Sequence, residues 1–170
     1  MTTLYLVRHG ETLENSQHIL QGHMPGNLTQ RGIEQAEKLS DELATVRFDA
    51  LVCSDLKRCI DTAEILNRPH SLKILTTTLL RERNWGALTG VAIPSIDRTK
   101  PFPPNVESEK AMSRRARIFL DFISNTYPGK TVLAVGHGLF CRQIQATFHD
   151  KPMREIQLMT NTEVRILLLP

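Results

Sequence analysis

The chain has 170 residues, of which 41% are apolar, and 21 basic against 18 acidic side chains leave a net charge of +3. That length fits one domain, 1–170, and the apolar share is enough for a core. The charge is too mild, and aromatics at 5% are too scarce, for a nucleic-acid partner, and no run approaches the roughly 20 apolar residues of a membrane helix.

In chain order, Leu4 to Val7 is a short apolar run bounded by Gly10, which predicts a buried strand. Residues 29–44 are predicted as a helix, with Thr29 as its cap and Ile33, Ala36, Leu39 and Leu43 on one stripe. Ala50 to Cys53 is a second strand. A helix follows from about Asp55 to Asn67, with Leu56, Ile60, Ala63 and Leu66 facing inward, and Pro69 ends it. Leu72 to Leu79 is predicted as a strand. Pro94, Pro101, Pro103 and Pro104 make 91–105 a loop, since proline neither donates to a ladder nor continues a helix. A long helix is expected over about Glu107–Thr126, then a Pro128-Gly129 turn, a strand at Thr131–Val135, a helix at Leu139–Phe148 and a last strand at Val164–Leu168. Such alternation predicts an α/β single-domain three-layer sandwich, with a mostly parallel sheet and helices on both faces. Ligands of these folds sit outside the carboxyl ends of the strands.

Two predicted strands end alike. Leu4-Tyr5-Leu6-Val7 runs into Arg8-His9-Gly10, and Val132-Leu133-Ala134-Val135 runs into Gly136-His137-Gly138. Each places a histidine past the strand's carboxyl end, with a glycine that lets a ligand approach the backbone. The helix expected after Gly138 would offer free N–H groups to a phosphate. Arg58 falls on the first turn of a helix leaving the same edge, and its planar fork can grip two phosphate oxygens.

These stretches resemble the histidine phosphatase superfamily, the phosphoglycerate mutase-like group. Arg8-His9-Gly10-Glu11-Thr12 with Asn15 resembles its opening motif. Gln21-Gly22 and Leu28-Thr29-x-x-Gly32-x-x-Gln35-Ala36 resemble the next block, and Ser54-Asp55-Leu56-x-Arg58-x-x-x-Thr62-Ala63 the third. Leu80-Arg81-Glu82-Arg83-Asn84-Trp85-Gly86-Ala87-Leu88-Thr89-Gly90 resembles the segment that carries the family's acid. Val135-Gly136-His137-Gly138 resembles the block of its second histidine. Two places depart from the pattern: Pro25 and Asn27 stand where an Asp and a Pro are usual, and Val106 precedes Glu107-Ser108 in place of a glycine. Both lie in segments expected to shape the substrate rim.

The resemblance implies a metal-independent phosphatase acting on a small phosphorylated metabolite, with no cofactor. His9 would be the nucleophile and form a phosphohistidine; Arg8, Arg58 and His137 would surround the equatorial oxygens; Glu82 would be the acid and later the base. Asn15, Gln21, Gly22, Arg83 and Gly138 join the expected phosphate and substrate contacts. His18, His23, His70 and His149 are expected to do no chemistry, although His18 and His23 lie on the rim. No HExxH or Cys/His cluster points to a metal. Trp85 is read as packing before platform. Cys53, Cys59 and Cys141 form no CxxC pair and are read as reduced and mostly buried. With no signal-like start in the sequence, a cytoplasmic protein is expected. A phosphoglycerate mutase would share these residues, whereas the intact set of His9, Arg8, Arg58, Glu82 and His137 argues against a non-catalytic phospho-ligand module on the same fold. Only 55 positions separate Glu82 from His137, where mutases of the family resemble longer chains, so hydrolysis ranks first. The oligomeric state is not legible.

Overall fold

A computed structural model describes residues 1–170. Five strands form one sheet: β1 (Thr2–Arg8), β2 (Ala50–Ser54), β3 (Ile74–Thr77), β4 (Thr131–Gly136) and β5 (Val164–Leu169). Their spatial order is β3-β2-β4-β1-β5. The first four run parallel, and β5 closes the edge antiparallel to β1. The helices are α1 (Leu13–Ser16), α2 (Gln30–Leu43), α3 (Lys57–Leu66), α4 (Glu109–Thr126) and α5 (Gly138–Phe148).

Strand alternation splits the core in two. Leu4, Leu6, Val132 and Ala134 join Met112 and Phe119 of α4 and Phe140 and Ile144 of α5 on one face. Val7, Leu133 and Val135 join Leu39 and Leu43 of α2 and Cys59, Ala63 and Leu66 of α3 on the other. This is the expected three-layer sandwich. Each large apolar side chain buried this way contributes roughly 1.5–3 kcal/mol.

The element boundaries show what local chemistry added. Thr29 caps α2 as expected, its hydroxyl accepting from the Gly32 N–H at 3.0 Å. Ile33 and Ile60 sit half-exposed, while Gly32, Ser40 and Thr62 take inward places on their helices. α3 begins at Lys57, later than expected, because Leu56 is extended. β3 is shorter than predicted because the Thr77 hydroxyl accepts from the Leu79 N–H and starts a 3-10 turn over Thr78–Leu80. α1 was not expected: Thr12 and Asn15 form a reciprocal capping box around four residues. The 91–105 segment is a loop with one 3-10 turn, Ile93–Ser95.

The order of the strands makes the site. The connection after β1 crosses over β4 to reach β2, whereas the one after β4 crosses over β1 to reach β5. The crevice between diverging connections lies at the carboxyl ends of β1 and β4. Arg8 pairs in register with Gly136, and the His9 N–H donates to the Gly136 carbonyl at 3.0 Å.

Candidate active site

A cavity of about 540 Å³ opens at this crevice, with Arg8, His9, Asn15, Gln21, Gly22, Arg58, Glu82, Arg83 and Gly138 on its wall. His9 is almost fully buried. Its Nδ1 lies 2.7 Å from the Gly10 carbonyl, which can only accept. Nδ1 therefore carries the proton, and Nε2 keeps a free lone pair. Burial, with the Arg58 and Arg8 cations, holds the imidazole well below the usual histidine range, so it is neutral at pH 7. Gly10 is required by packing, since a Cβ there would come 2.5 Å from the Gly32 carbonyl oxygen. The Gly10 N–H donates to Thr62 Oγ1 at 3.1 Å, and that hydroxyl donates to the Arg58 carbonyl at 2.8 Å. Thr62 thus ties the histidine loop to α3.

The two arginines are held differently. Arg8 Nη1 donates to the Met159 carbonyl at 2.6 Å, while its buried Nε has no protein partner. Its guanidinium lies about where a side chain on Gly138 would go, 3.0 Å from an added Cβ. Arg58 is 1% exposed. Its Nη atoms donate to the carbonyls of Gly22 at 2.7 Å, Met24, and Pro25 at 3.4 Å, and its Nε points at His137. Of five N–H donors, one Nη2–H remains for a ligand. The loop that carries Pro25 therefore does more than shape a rim: it grips Arg58 through backbone carbonyls, which tolerates changed side chains. Asn15 Oδ1 accepts from the Thr12 N–H and from Asn161, leaving its NH2 without an acceptor in the protein.

Glu82 meets neither Arg81 nor Arg83 as an ion pair. Arg81 pairs with Asp55, and Arg83 Nε donates to the Glu107 carbonyl at 2.8 Å. The Glu82 carboxyl instead accepts from three backbone N–H groups: Arg83 at 2.8 Å and Phe140 at 3.0 Å on Oε1, and Leu139 at 3.1 Å on Oε2. It caps α5 in the place where free N–H groups were expected to meet a phosphate. Only the Gly138 N–H of that first turn is left. Two donors fill Oε1, whereas Oε2 accepts a single bond and keeps a second lone-pair site on which a proton can be carried.

His137 is the expected residue that stays off the cavity wall. It is fully buried beside His9, ring centroids 5.3 Å apart. Its Nε2 lies 2.8 Å from Ser54 Oγ and its Nδ1 3.2 Å from Arg58 Nε. Gln21 is buried with Oε1 unpartnered. Arg83 stacks on Trp85 at 4.6 Å and Phe102 at 5.3 Å, so Trp85 both packs and lines the cavity. His23 Nε2 donates to the Glu82 carbonyl at 3.0 Å; His18, His70 and His149 lie off the cavity. All three cysteines are buried. No three His, Cys, Asp or Glu side chains converge into a metal cage.

Three contributions escaped the sequence reading. Ser54 and Thr62 stood in a recognised motif without a role. Asn161, whose Nδ2 donates to the His9 carbonyl at 3.0 Å and to Asn15 Oδ1 at 3.3 Å, comes from a polar segment with no periodicity.

The family model for the histidine phosphatase superfamily (branch 1) matches residues 4–169. An uncharacterized phosphatase, PhoE of Bacillus subtilis, is 37% identical over 142 residues, covering 81% of this chain and 72% of the relative. A probable phosphoglycerate mutase, GpmB of Yersinia pestis, is 32% identical over 152 residues, covering 82% and 71%. The alpha-ribazole phosphatase of Shigella flexneri superposes with a TM-score of 0.84 at 28% identity, over 94% of this chain and 86% of that one.

Proposed function

Because this chain belongs to the histidine phosphatase superfamily (branch 1) and is a phosphatase of that family, we propose that it hydrolyses a small phosphomonoester through a phosphohistidine on His9. The observation that carries this reading is the neutral His9, with Nδ1–H on Gly10 and Nε2 without a protein partner, in a cavity that Arg8 and Arg58 also line.

In the first step the Nε2 lone pair attacks phosphorus and the bond to the leaving oxygen breaks. Glu82 hands that oxygen a proton, giving a free alcohol and phosphohistidine. In the second step water attacks phosphorus, its proton passes to Glu82, and the P–N bond breaks to release phosphate and restore His9. Charge on the equatorial oxygens is met by Arg8 Nε, the free Arg58 Nη2–H, the Asn15 amide and the Gly138 N–H, all fixed before substrate arrives. His137 acts by holding Arg58.

The substrate reading stays at a small phosphorylated metabolite, of the kind handled by the Shigella phosphatase or by the probable mutase. The 55 positions between Glu82 and His137 favour transfer to water over transfer back to substrate. The test is turnover of p-nitrophenyl phosphate and a panel of phosphorylated metabolites. His9→Ala is expected to abolish it with the circular dichroism spectrum unchanged; near wild-type turnover by the variant would refute the role of His9.

A further inference from the structure

We propose that Ser54 is a positioning residue for this reaction: its hydroxyl accepts the Nε2 proton of His137, fixing the tautomer whose bare Nδ1 holds Arg58 in place. This rests on the phosphoryl-transfer reading of the site.

The proton count follows from the neighbours. Arg58 Nε always carries a hydrogen, and it lies 3.2 Å from His137 Nδ1. Nδ1 must accept, so it is bare. Burial, then the cations and imidazole around it, with Arg58 first and His9, His23 and Arg115 behind, keep His137 well below the usual histidine range. A neutral ring with a bare Nδ1 has its single proton on Nε2. Two groups face Nε2: Ser54 Oγ at 2.8 Å and Cys59 Sγ at 3.4 Å. Sulfur is the weaker acceptor, and the Cys59 thiol is turned to the Gly136 carbonyl. Ser54 Oγ also accepts from the Leu56 N–H at 3.3 Å, and a hydroxyl has two lone pairs for the two donors.

Ser54 and His137 are both fully buried, so water cannot replace a lost acceptor. Without the hydroxyl, the Nε2 proton is stranded, and the easiest relief is to move it to Nδ1. That sets one donor against another at Arg58 Nε and pushes the guanidinium off its seat. The defect would therefore appear in phosphate binding through Arg58, leaving the His9 nucleophile alone.

The experiment is the 15N spectrum of histidine-labelled protein without ligand, with His137 assigned by His137→Gln. A neutral ring protonated at Nε2 is expected. A ring protonated at Nδ1, or at both nitrogens, would overturn the proposal whatever any variant does. In Ser54→Ala the Nε2-protonated signal is expected to be lost. Competitive inhibition by inorganic phosphate and vanadate should weaken roughly 10-fold or more, as expected for a stranded buried donor, with KM rising more than kcat falls. An unchanged His137 spectrum and unchanged phosphate affinity in that variant would also overturn it. The spectrum is read without turnover. A protein that showed the Nε2 proton yet hydrolysed nothing would overturn the reaction and leave the tautomer standing.

Discussion

Replacing Glu82 with Gln separates the acid from the helix cap. The amide oxygen can keep the two bonds now made to Oε1, from the N–H groups of Arg83 and Phe140. The amide NH2 then meets the Leu139 N–H that Oε2 accepts at 3.1 Å, donor against donor. One stranded donor costs about 1–3 kcal/mol, and in a chain of this size each kcal/mol lowers Tm by roughly 2–4 °C. That loss affects every substrate alike. Proton transfer does not. An alkyl phosphate leaves as a basic alkoxide, so kcat/KM on it should fall about 10²- to 10⁴-fold. The p-nitrophenolate leaving group is stable without a proton, so phosphoenzyme formation from p-nitrophenyl phosphate should fall less than roughly 10-fold. The assay is the ratio of the two losses, measured below the melting range of the variant. Equal losses would refute the acid role and reduce Glu82 to a cap on α5, with Glu11 or Glu107 the next carboxylates to test.

Gly138→Ala places a Cβ about 3 Å from the Arg8 guanidinium; displacing it by about 1 Å should cost on the order of 10²-fold in kcat/KM with the fold retained, and full activity would show that Arg8 is not needed where it stands. His9 and His137 are both held well below the usual histidine value when folded, so the unfolded chain binds protons that the folded chain does not. Their stabilisation is complete above the unfolded value of about 6.5 and falls by up to about 1.4 kcal/mol per pH unit for each histidine as pH drops toward the folded values. Urea melts from pH 8 to 5 should show this slope, reduced by one histidine's share in His9→Gln; no reduction would contradict the His9 assignment. Dialysis against EDTA should leave hydrolysis unchanged, and a loss restored by zinc, magnesium or manganese would show a metal requirement. With 3-phosphoglycerate and a trace of 2,3-bisphosphoglycerate, slow phosphate release or none is expected, and efficient formation of 2-phosphoglycerate would favour the mutase reading.

The fold was legible because its strands are short apolar runs and its helices carry inward stripes. Val7 and Val135 lead straight to the two histidines that the crevice brings together. The polar linkages were not legible. Asn161 reaches the His9 carbonyl from far along the chain, and a lone asparagine in a coil segment has no pattern to betray it. Nor does sequence show that Leu139 and Phe140 spend their N–H groups on Glu82: helix start and carboxylate were each visible, but their meeting depends on how the 82–84 segment crosses the sheet edge. The same holds for Arg58, whose position was clear but whose donors mostly serve the loop carbonyls of Gly22, Met24 and Pro25.

The covalent role of His9 is tested most directly by trapping the intermediate. Wild-type protein mixed with a labelled phosphomonoester and quenched in alkali within milliseconds should carry label that is stable to base and lost in acid, the behaviour of a phosphorylated imidazole. The label should map to the peptide containing His9 and be absent from His9→Ala. Turnover with no trapped label under single-turnover conditions, or label that persists in His9→Ala, would contradict it.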